Sequence, residues 1–108
     1  MIVVTTEEVT GHRIVEMKGQ VFGLVVRSRG LGGNIVATLR WIGGGEIVEY
    51  TELLEDARRH AIDRMVQNAT AMGANAVVRM QYDSSEIGST MSEIVAYGTA
   101  AVVEPLKS

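Results

Sequence analysis

Cysteine is absent from this chain, so no disulfide can staple it and no thiolate can bind a metal, which leaves His, Asp and Glu as the strong protein ligands. Soft-metal chemistry is disfavoured on that ground. Proline occurs once, at Pro105, where it stops strand pairing near the C-terminus. Aromatic residues are scarce: with one Phe, one Trp and three Tyr in a chain that is 46% hydrophobic, the interior must be built from Val, Ile, Leu, Ala and Met. Such a core packs close. No apolar run approaches the roughly 20 residues a bilayer-spanning helix needs, and the opening MIVVTTEEVTG lacks the basic head and apolar core of a secretory signal. A soluble, cytoplasmic protein with no membrane partner is the expectation. Basic excess is missing too. A net charge of −3 argues against nucleic acid as a partner, because phosphate binding needs a patch of several Lys and Arg, and Arg27, Arg29 and Arg40 make only a local cluster. At 108 residues the chain reads as a single domain, 1–108, small enough that association with copies of itself would add stability.

What is present is organised around the stretch from Glu46 to Asp83. Apolar or small residues at Ile47, Tyr50, Leu54, Ala57, Ala61, Met65, Ala69 and Met72 recur every three or four positions, the period of one helix face. The opposite face carries Glu52, Asp56, Arg59, Asp63 and Gln67, with Glu55 placed four residues ahead of Arg59 for a helical ion pair. Alanines on the inner side would let the helix axis lie close to a sheet. Gly73 can take the left-handed conformation that closes the helix, and Asn75 turns the chain into the next strand. Glu46, Glu49 and Glu52 fit the positive end of the helix dipole and need no chemistry to explain them.

Along the chain, a short strand is expected over Ile2 to Thr6 and a long one over Arg13 to Arg27, with odd positions Val15, Met17, Val21 and Val25 turned toward the helix. Gly19 and Gly23 inside it mark a bulge, a bend or a close backbone approach. A short helix is expected from Asn34 to Trp41, ended by Gly43, Gly44 and Gly45. After the long helix, Ala76 to Tyr82 alternates as a half-buried strand, and Asp83 to Thr90 reads as a loop. The last strand, Ser92 to Val103, is apolar on both faces: Ile94, Ala96, Ala100 and Val102 on one, Val95, Tyr97, Ala101 and Val103 on the other. One long helix covers only one side of a sheet, so the second face is expected to be a subunit interface.

The residues themselves resemble a known family. Thr5-Thr6, Gly19-x-Val21-x-Gly23, Gly33-Asn34-Ile35, Tyr50 with Ala57-Arg58 and Ala61, Gly73-Ala74-Asn75-Ala76-Val77 and Tyr97-Gly98-Thr99-Ala100 together look like the YbjQ-like family, small bacterial and archaeal proteins labelled "putative heavy-metal-binding". The resemblance spans nearly the whole chain. It implies an α+β, β-α-β-β subunit of dodecin-like shape, an antiparallel sheet with one long amphipathic helix and one short helix, assembled into a homopentameric ring whose short extra strands help subunits join. It implies no reaction. With no Cys and two His, what it carries over is a fold and an assembly rather than a set of ligands.

Three site readings stand beside one another. Asp56, His60 and Asp63 share the polar helix face at spacings of four and three, so their side chains could converge on a divalent metal, against the plainer reading of a solvated face. The loop Arg27 to Asn34 follows a strand and opens a helix, so Arg27, Arg29, Gly32, Gly33 and Asn34 could cradle an anion, a phosphorylated small molecule or a cofactor. Ile35 at the sixth fingerprint position and the lack of a Gly-Lys-Ser/Thr element argue for turn geometry instead. Third, clefts between subunits could take an ion or small ligand. Ser84, Ser85, Ser89 and Thr90 have no positioned base, no Gly-x-Ser-x-Gly elbow exists, and the chain is expected not to be an enzyme.

Overall fold

The computed structural model of the protein describes residues 1–28, 48–88 and 91–107. Its elements are β1 (Ile2–Val3), β2 (His12–Ser28), α1 (Val48–Ala71), β3 (Ala76–Ile87) and β4 (Met91–Pro105). The strands form one sheet in the order β1-β3-β4-β2, with β1 parallel to β3 and the other pairs antiparallel. The sheet is therefore mixed rather than antiparallel as expected, because the N-terminal strand enters beside β3 in the same direction. The short helix expected over Asn34 to Trp41 falls outside the described residues.

The long helix forms where the apolar period places it, and its end follows from Gly73. With Gly73 at φ +85, its N–H donates to the Thr70 carbonyl and the Ala74 N–H reaches back to the Ala69 carbonyl at 3.1 Å, which satisfies two otherwise orphaned carbonyls. The next residue continues the sheet. The side-chain amide of Asn75 donates to the Val103 carbonyl at 2.9 Å and accepts from the Val103 N–H at 2.8 Å, so a side chain stands in for one more ladder residue.

Ala57, Ala61, Met65 and Ala69 of α1 lie against Val21 and Val25 of β2 and Ile94, Ala96 and Ala100 of β4, all buried. Small side chains on both surfaces permit a close approach, and at Gly23 it becomes closer than any side chain allows. A Cβ there would sit 2.2 Å from the Ala61 carbonyl oxygen and 2.3 Å from the Met65 nitrogen. Leu54, on the same helical period, escapes this packing and stays 46% exposed.

Two irregularities in β2, between Ile14 and Glu16 and between Met17 and Gly19, shift its register against β4. Each inserts a residue and flips the alternation. As a result Val15 and Met17 do not face the helix as the odd-position pattern predicts but are exposed, while Val21 and Val25 do face it. A third irregularity in β3, between Val78 and Gln81, holds Arg79 at φ +54. Its N–H donates to the Thr6 carbonyl at 2.9 Å and the Met80 N–H to the Val4 carbonyl at 3.0 Å, so the N-terminal segment is tied across the bulge. The strands also run longer than expected: residues 83–87 pair with 91–95 as sheet rather than forming a loop.

The second face of the sheet is divided. At the end near the termini, Val9, with Ile2 and Val4, covers Ala76, Val78, Val103 and Ile14. The expectation that another copy must cover that whole face is corrected there, because the protein's own N-terminal segment does it. Toward the other end no described residue lies over the face, and the long axis of 57 Å matches the roughly 3.3 Å rise per residue of the 17-residue β2.

Gly23→Ala is expected to cost about 2–3 kcal/mol or abolish folding, since backbone atoms rather than flexible side chains occupy the space. Gly88→Asn, at φ +64 with open space around it, is expected to cost under about 1 kcal/mol; urea denaturation distinguishes the two. Asn75→Ala removes both bonds to Val103 and is expected to lower stability by about 2 kcal/mol in the same measurement.

Candidate functional site

Arg27, near the end of β2, reaches across to α1. Its Nη2 hydrogen-bonds with His60 Nδ1 and lies 3.7 Å from Asp56 Oδ2. The other N–H of the guanidinium stem, at Nε, is buried and has no hydrogen-bond partner. Asp63 stays exposed further along the helix, and among the described residues no three of His, Cys, Asp and Glu are gathered where one ion could bind them. Asp56 and His60 are thus brought together by an arginine, and the expected third ligand does not join them. His12 bonds locally instead, its Nδ1–H donating to the Thr10 carbonyl at 3.0 Å. Of the expected anion cradle, Arg27 is described, whereas Arg29, Gly32, Gly33 and Asn34 fall outside the described residues.

Beside Arg27 a cavity of about 420 Å³ opens between α1 and the ends of β3 and β4. Leu53, Leu54 and Ala57 form its helix wall and Ile94 its floor, with Ser84, Ser85, Glu86 and Ser92 on the strand side. At Gly23 helix and strand meet backbone to backbone, and past the buried Ala57 the next apolar position out along the helix, Leu54, is 46% exposed.

On the opposite side of the sheet, Phe22, Leu24 and Val26 of β2 are 53%, 38% and 48% exposed. They pair across β4 with Tyr97, Val95 and Glu93, and so lie on one continuous face together with the half-buried Val95 and Tyr97. The Tyr97 hydroxyl donates to Gln81 Oε1 at 3.0 Å. β2 is an edge strand, yet part of its edge is already satisfied: Arg64 Nη1 donates to the Leu24 carbonyl at 2.7 Å and Asn68 Nδ2 to the Phe22 carbonyl at 2.8 Å. Strand addition along this part of the edge is blunted, while the face stays available.

The signal for this face lay in the even positions 22, 24 and 26, which are as apolar as the odd ones. The cavity had no such signal, because the serines that line it read as loop residues.

A mixed four-stranded sheet with one long helix packed on one side defines a small α+β domain. Residues 1–104 match the YbjQ family, described as "Putative heavy-metal-binding", and the chain belongs to that family. Its relatives include a UPF0145 protein of Bradyrhizobium sp. (strain ORS 278), 72% identical over 99% of this chain and 96% of the relative. Another, from Picrophilus torridus, is 57% identical over 100% of this chain and 92% of the relative. Among solved structures, a protein of unknown function of the DUF74 family from Pediococcus pentosaceus shares the fold with a TM-score of 0.68, at 12% identity over 96% of this chain and 98% of that one.

The family description can be tested against the donors present. Soft metals favour thiolates, the chain has no cysteine, and the described His and carboxylates form no three-donor group. The described residues do not fit such a metal. Excess Zn²⁺ or Cd²⁺ is expected to shift the melting temperature of the wild type and of His60→Ala alike, by less than about 1 °C; a wild-type stabilisation that His60→Ala or Asp63→Ala loses would contradict this.

Proposed function

We propose that the protein acts as the subunit of a homo-oligomer, assembled through the uncovered half of its sheet. The observation that carries this reading is the row Phe22, Leu24 and Val26, three large apolar side chains side by side on an exposed strand face with Val95 and Tyr97 next to them. Monomeric proteins seldom leave such a row in water, whereas an interface between copies buries it. Two features agree. The radius of gyration, 17.6 Å, exceeds the roughly 13 Å of a compact chain of this length, and the part of the β2 edge that its own helix occupies turns association toward the face. The family resemblance favours a ring of five, with ligand-sized clefts at the subunit boundaries.

Sedimentation equilibrium at micromolar concentration is expected to give a mass several-fold that of one chain, five-fold for the ring. Leu24→Asp, which places a charge in the row without touching the Leu24 carbonyl bond to Arg64, is expected to yield folded monomer. A monomeric wild type would overturn the reading.

A further inference from the structure

We propose that the surface of the second copy that meets the open face is the flank of α1 carrying Leu54 and Arg58, so that copies join head to tail. The inference rests on the self-association reading above and names the other half of that contact.

The charge on the open face sets what can cover it. Across that face Leu24 pairs with Val95 and Val95 with Asp83, and in the next row Val26 pairs with Glu93 and Glu93 with Ser85. The apolar row is thus flanked by two carboxylates. Asp83 accepts the Ser84 N–H at 2.9 Å and Glu93 the Ser85 hydroxyl at 3.4 Å, and among the described residues no cation pairs with either. A two-fold contact lays this patch on its own copy, which draws four carboxylates toward one drying gap with no cation to offset them. The covering surface therefore differs from the face it covers, and it brings apolar side chains together with positive charge.

That combination stands on α1. Leu54 is 46% exposed, and Arg58, four residues on, lies on the same side of the helix. The Arg58 guanidinium sits over the Tyr82 ring, 5.1 Å from its centre, and among the described residues no carboxylate pairs with it. Arg13, Lys18, Arg59 and Arg79 each face a carboxylate of their own chain, and Arg64 is held by the Leu24 carbonyl. Lys107 follows Leu106 in the tail after β4, outside any helix or strand that would give the two a shared face. The spacing also fits. Four helical residues advance about 6 Å, and Leu24 and its diagonal neighbour Glu93 are roughly 7–8 Å apart, a difference the long arginine spans. With Leu54 seated on Leu24 and Val26, Arg58 reaches Glu93. Each copy then covers one neighbour and is covered by another.

Mixing two variants, each with one surface broken, tests the proposal. Leu24→Asp spoils the face and Leu54→Asp the helix flank, and circular dichroism is expected to show both folded. In sedimentation velocity at up to about 100 μM, where a micromolar contact is nearly saturated, each variant alone is expected to be monomeric. An equal mixture is expected to give dimers and nothing larger, because one intact contact remains per pair. Arg58→Glu and Glu93→Lys are each expected to weaken association about tenfold or more and together to recover most of the loss, while Lys107→Glu stays within about twofold of wild type. A mixture that stays monomeric, or a double variant with no recovery, would overturn the proposal. A monomeric wild type refutes self-association itself, whereas an oligomeric wild type whose Leu54→Asp variant is equally oligomeric refutes only the role of the helix flank.

Discussion

The contact between α1 and β2 at Gly23 sets the rest of the structure. With the Ala61 carbonyl where a side chain would begin, the helix lies nearly backbone to backbone on the strand, and only small residues fit along the line of contact. That closeness brings Arg64 and Asn68 within reach of the Leu24 and Phe22 carbonyls, so the helix grips the strand by side-chain bonds as well as by packing. It also makes the sheet two-sided in a chain with one long helix. The surface under α1 is dry, and whatever covers the reverse has to come from elsewhere.

The reverse is handled in two ways. Near the termini the N-terminal segment lies across it, held by the Arg79 and Met80 amides at the β3 bulge and by the Val4 N–H on the Val77 carbonyl. On the helix side of the same bulge, a Cβ at Gly98 would sit 2.8 Å from Val78 O and from a methyl of Val77. Further along, where the segment ends, Phe22, Leu24 and Val26 stay open.

Much of this was legible in the residues. Helix period, the glycine stop and the alternation of the last strand translate directly into burial, because they report faces at fixed spacing. Gly19 and Gly23 were legible as irregular positions too, one lying at a register shift with φ +117 and the other at the tight approach. Illegible were the shifts at Val15 and Arg79, since an inserted residue leaves no compositional mark, and the misassignment of Val15 and Met17 followed from reading an unbroken alternation through them. Ser84 to Ile87 read as a loop because serine is common in loops, yet hairpin pairing with β4 holds those residues in the sheet. At the site, spacing correctly placed Asp56 and His60 on one face, but no local pattern could say that Arg27, distant in sequence, would occupy them.

The central claim is that one copy of this chain covers the open half of another's sheet. Because the chain has no cysteine, a single introduced thiol is a clean probe. Leu24→Cys, on the open face, and Val15→Cys, at the bulge, are comparably exposed in one chain, at 38% and 44% for the native side chains. Their rates of reaction with a soluble thiol reagent should differ at micromolar protein, the Leu24→Cys variant reacting more than about tenfold slower than the Val15→Cys variant and recovering on dilution to monomer. Equal, concentration-independent rates for the two variants would contradict the account.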